Sequence, residues 1–107
     1  MDESNVARAL AALAQPVRLR VFRRLVEAGE GGATPGALAE ALGLPSSSLS
    51  FHLKELVHAH LVTQERASRN LIYRAAFGPV NELIAFLTRN CCGGEPCAVQ
   101  PAAQPCC

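Results

Sequence analysis

A chain of 107 residues bounds one domain whose core is modest enough to benefit from dimerisation. Half of its residues are hydrophobic and 5% aromatic, which excludes wholesale disorder and suits a compact Ala/Leu-rich helical protein. The apolar runs are too short for a membrane span, Asp2 and Glu3 stand where an export signal carries basic residues, and the net charge of +1 excludes a uniformly basic coat. A cytoplasmic protein is expected, with any nucleic-acid surface built from local charge.

The first predicted helix covers 5–14, with Val6, Leu10 and Leu13 on one stripe and Asp2, Glu3 or Ser4 as its cap. Pro16 breaks the pattern and opens a second helix. Val17, Leu19, Val21, Phe22 and Leu25 face inward there, and Arg18, Arg20, Arg23 and Arg24 face water. Gly29, Gly31 and Gly32 end it. Thr34 and Pro35 start a short third helix that Gly43 stops. A fourth helix follows over roughly 46–59, burying Leu49, Leu53 and Leu56 or Val57. Two helices joined by a tight turn, the second opening on serines, meet the requirements of a helix-turn-helix.

Beyond Leu61 the apolar period changes to two. Strands on either side of an Ala67-Ser68-Arg69-Asn70 turn predict a β-hairpin. A last amphipathic helix then turns Val80, Leu83, Ile84 and Leu87 inward. Residues 1–90 thus form one mostly α domain, with about five helices and a two-stranded wing. The composition of 91–107 predicts a flexible, cysteine-rich tail as a separate segment.

Lys54, Arg66, Arg69 and Arg74 concentrate positive charge in the segment 45–76. Ser46, Ser47, Ser48 and Ser50 are short enough to approach base edges and phosphates, beside the positive end of the helix dipole. His52 and Lys54 extend that donor surface, and Arg66 and Arg69 suit flanking phosphates or a minor groove. The same serines could equally cap a helix, and the arginines could simply solvate a hairpin. His58 and His60 suit surface or packing roles better than ligation.

The stretches AQPVRLRVFRRLVEAG, LAEALGLPSSSLSFHLKELVHAHLV and NLIYRAAF resemble the ArsR/SmtB family of metal- and metalloid-responsive winged-helix repressors. The resemblance covers roughly residues 5–90. Its most specific piece is the run Ser50-Phe51-His52-Leu53 with Ser47 before it. It implies a homodimer joined through its first and last helices, bound to double-stranded operator DNA.

All five cysteines lie in the last seventeen residues: Cys91, Cys92, Cys97, Cys106 and Cys107. A disulfide framework would scatter its cysteines through the core, so this placement points to ligand chemistry or redox sensing. Two sensor positions known in the family lack ligands here. The third helix has no thiol, and the last has no histidine for a helical zinc site. Cys91, Cys92 and Cys97 are similar to the C-terminal triad of arsenite-responsive members. Trivalent arsenic is soft and favours three thiolates in a pyramid, and Gly93 and Gly94 permit a sharp return between them. Cys106 and Cys107 are candidate accessory thiols or have no specific role.

The expected function is therefore an arsenite-responsive repressor, with trivalent arsenic as inducer and no catalytic cofactor. Antimonite, cadmium, lead or zinc sensing and thiol oxidation are the alternatives. A thiol enzyme is disfavoured, because these thiols follow a helix C-terminus, where the dipole opposes thiolate formation, and no phosphate-cradling loop precedes them. A metal buffer would bind the ion but ignore DNA.

Overall fold

The computed structural model describes residues 2–90, so the predicted tail and all five cysteines lie outside the described residues. Its elements follow the expected order: five α-helices with a two-stranded antiparallel hairpin before the last.

Local chemistry sets most of the boundaries. Helix α1 (Glu3–Leu13) starts where the Asp2 carboxylate accepts the Asn5 N–H at 2.8 Å. Helix α2 (Pro16–Ala28) has proline in its first turn, and the Gln15 side chain accepts the Arg18 N–H at 2.9 Å. A single 3-10 turn (Gly29–Gly31) leads on to α3 (Pro35–Leu42), capped by the Thr34 hydroxyl and ended by Gly43 at φ 66°. Helix α4 (Ser46–His58) follows after a three-residue turn.

Strands β1 (Val62–Ala67) and β2 (Asn70–Ala75) pair from Val62 opposite Ala75 to Ala67 opposite Asn70. Ser68, at φ 61°, turns the chain between them. Ala33 adds one further rung to β2, exchanging hydrogen bonds of 2.9 and 2.8 Å with Tyr73. Helix α5 (Phe77–Thr88) then closes the described chain.

Leu25, Leu38, Leu49, Leu53, Leu56, Leu61 and Val21 are fully buried where α2, α3, α4 and the base of the wing meet. Each such side chain contributes about 1.5–3 kcal/mol. No polar or charged side chain is buried with them among the described residues.

The expected apolar stripes are only partly covered within one chain. On α1 the buried residues are Val6, Ala9 and Ala12, whereas Leu10 is exposed. On α2 Leu19 is exposed, while Arg18, expected in water, is half-buried. On α5 only Leu83 is buried, and Ile84 and Leu87 are 53% and 57% exposed. These apolar arcs are wider than the surface their own chain offers to cover them.

Candidate nucleic-acid interface

Helices α3 and α4, with the turn Gly43–Leu44–Pro45, form the helix-turn-helix. The left-handed Gly43 lets the Leu44 N–H return to the Ala39 carbonyl at 3.0 Å. Leu49, Leu53 and Leu56 seat α4 in the core. The opposite stripe therefore faces out: Ser47, Ser50, Phe51 and Lys54, at i, i+3, i+4 and i+7, are all exposed.

Ser46, Ser47 and Ser48 do not cap their helix. Pro45 holds the cap position and makes no side-chain cap bond, and none of the described hydrogen bonds engages the hydroxyls of these serines or of Ser50. The first amide groups of α4 lack intrahelical acceptors, as at any helix start. This end of α4 thus presents donors and hydroxyls together.

The positive face differs in composition from the sequence expectation. Arg74 donates to the Glu65 carboxylate at 2.6 Å and to the Glu30 carbonyl at 2.7 Å, so its charge is neutralised inside the wing. Arg66 and Arg69 stay exposed at the far end of the hairpin, away from the core.

Arg18 was missed by the sequence reading. Its Nε donates to His52 Nδ1 at 3.3 Å, and its guanidinium lies 5.6 Å from the centroid of the Phe51 ring. The His52 ring meets Phe51 edge-on, with centroids 5.6 Å apart. Burial, then the Arg18 charge, holds His52 below its ordinary pKa of 6.5. The accepting Nδ1 belongs to the neutral imidazole, whose proton then sits on Nε2 as a donor. Phe51 also went unassigned, although an aromatic on the polar stripe of an amphipathic helix is a signal in the sequence itself.

Among the described residues no group of three or more His, Cys, Asp or Glu side chains is placed to hold a metal, and no helix is long and apolar enough to cross a membrane.

The helix-turn-helix domain family matches residues 13–65, from the end of α1 into β1. The chain is 34% identical to the HTH-type transcriptional regulator CmtR of Mycobacterium tuberculosis over 97% of its own length and 88% of the relative's. The chain belongs to the ArsR/SmtB family. Another relative, the transcriptional regulator NmtR of the same organism, is 38% identical over 65% of this chain and 56% of NmtR. Among solved structures, the homodimeric winged helix-turn-helix DNA-binding domain Mb0332 of Mycobacterium bovis superposes with a TM-score of 0.66. That match has 30% identity and covers 79% of this chain and 76% of the solved Mb0332 fragment. CmtR and NmtR are transcriptional regulators and Mb0332 a possible one, and in this ArsR/SmtB member α3 and α4 are the helix-turn-helix and β1–β2 the wing.

Proposed function

We propose that this ArsR/SmtB regulator is a homodimeric, operator-binding repressor that trivalent arsenic releases through Cys91, Cys92 and Cys97. The DNA half of this reading is carried by one observation: the uncapped serine end of α4 stands out from a helix-turn-helix whose buried leucines fix its direction. Ser46, Ser47, Ser48, Ser50 and Lys54 address the major groove, Nε2 of His52 adds a donor, and Arg66 and Arg69 reach phosphates beyond it. The exposed Leu10, Ile84 and Leu87 supply the apolar faces through which two copies associate. Two recognition helices then meet half-sites about one helical turn apart.

The sensing half rests on donor chemistry. Three thiols close together in sequence suit a soft, pyramidal trivalent ion better than a hard one. Cys91 lies three residues beyond the last residue of α5, so ordering these thiols bears directly on a helix of the dimer face. Coupling of that kind is typically about 1–3 kcal/mol, and DNA must weaken ion binding by the same factor.

The test is fluorescence anisotropy of the reduced protein on the duplex upstream of its own gene, titrated with arsenite, antimonite and zinc. Arsenite should weaken DNA binding about 5–150-fold. Cys91→Ser should bind DNA as before yet resist release. Normal release of that variant would overturn the triad, and release by zinc or by oxidant alone would reassign the inducer.

A further inference from the structure

The proposed DNA-binding role assigns the serines, Lys54 and the wing arginines, but leaves Phe51 unused. This ring is 54% exposed, on the stripe of α4 that also carries Ser47, Ser50 and Lys54. Its place is costly: a large apolar surface stands in water on the polar side of an amphipathic helix. Nor is it a loose ring. The Arg18 guanidinium lies over it at 5.6 Å, and the His52 ring meets it edge-on. The hydrogen bond from Arg18 to His52 joins these two supports across α2 and α4. Phe51, on the same helix stripe as the hydroxyls, is therefore flanked by Arg18 and His52, with 54% of its surface open.

In the major groove, the apolar feature that base edges present is the C5-methyl group of thymine. A braced aromatic among hydroxyls and amides matches that group and no hydrogen-bonding edge. We propose that Phe51 is a specificity-determining residue that reads a thymine methyl at one position of each half-site, with Arg18 and His52 as its positioning residues. This rests on the DNA-binding reading above.

The experiment separates the two claims. Duplexes enriched by the wild-type protein from a random-sequence pool are remade with single thymine-to-deoxyuracil changes, each deleting only the methyl. Anisotropy then measures the affinities of the wild type, Phe51→Leu and Phe51→Ala. At one thymine per half-site, deoxyuracil should weaken the wild type about fourfold, the worth of one buried methyl. Phe51→Ala should bind thymine and deoxyuracil duplexes equally, and Phe51→Leu should keep part of the difference. Wild-type indifference to every deoxyuracil change would overturn the proposal, as would undiminished discrimination by Phe51→Ala. So would a loss in Phe51→Ala that is uniform across unrelated duplexes, which would make the ring a backbone contact. Enrichment of no duplex at all would instead sink the DNA-binding reading, and this proposal with it.

Discussion

His52 links chemistry to stability at the scale of one residue. Burial, then the Arg18 charge, depresses its folded pKa, so below pH 6.5 the unfolded chain takes up a proton that the native site resists. The stability this group contributes is fully present above pH 6.5 and is lost as the pH falls through the folded value. Urea unfolding of the wild type should therefore show stability decreasing as the pH drops below 6.5. In His52→Gln that part of the slope should flatten, and an unchanged slope would remove His52 as its source. Little of this was legible in the sequence. Arg18 and His52 lie 34 positions apart, and the period of α2 assigns Arg18 to water. Only the tertiary crossing of α2 and α4 brings the pair together.

Elements whose boundaries depend on neighbours in sequence were the most legible. Thr34, Pro35 and Gly43 define α3 through groups within a few residues of one another, and the hairpin turn lies where the alternating pattern stops. The additional rung between Ala33 and Tyr73 had no such local signature. It depends on Gly32, which sits at φ 67°, where a Cβ would come within 2.6 Å of the Tyr73 carbonyl oxygen. Side chains rarely adopt that backbone conformation, and the neighbouring strand leaves no room for one. Gly32→Ala should cost about 2–3 kcal/mol in urea unfolding. Loss of the rung should also unmask the Ala33 and Tyr73 amides to hydrogen exchange. An unchanged midpoint would show that the strand shifts freely.

For the whole molecule, the apolar patterns of α1 and α5 mark hydrophobic faces without saying what covers them. The period places Leu10 on the apolar stripe of α1 and turns Ile84 and Leu87 inward on α5, while the family resemblance gives both stripes to a dimer interface; one chain alone leaves all three side chains in water. Periodicity reports that a face must be covered, not whose surface covers it. With a second copy as the cover, Leu87→Glu should sediment as a monomer at concentrations where the wild type is dimeric. It should also lose operator affinity while keeping its helical circular dichroism. A dimeric Leu87→Glu would move the interface elsewhere.

The shallow seat of α5 also bears on how such a protein survives when scarce. Leu83 is the only residue of that helix its own chain buries, so in the proposed dimer much of the helix's hold would come from the second copy, and mass action would govern its supply. Newly made chains, few and unpaired, would carry a peelable α5 open to proteases, whereas an established pool would protect itself. Abundance and lifetime would then rise together, which sharpens the contrast between a cell that holds this regulator in stock and one that has begun to lose it.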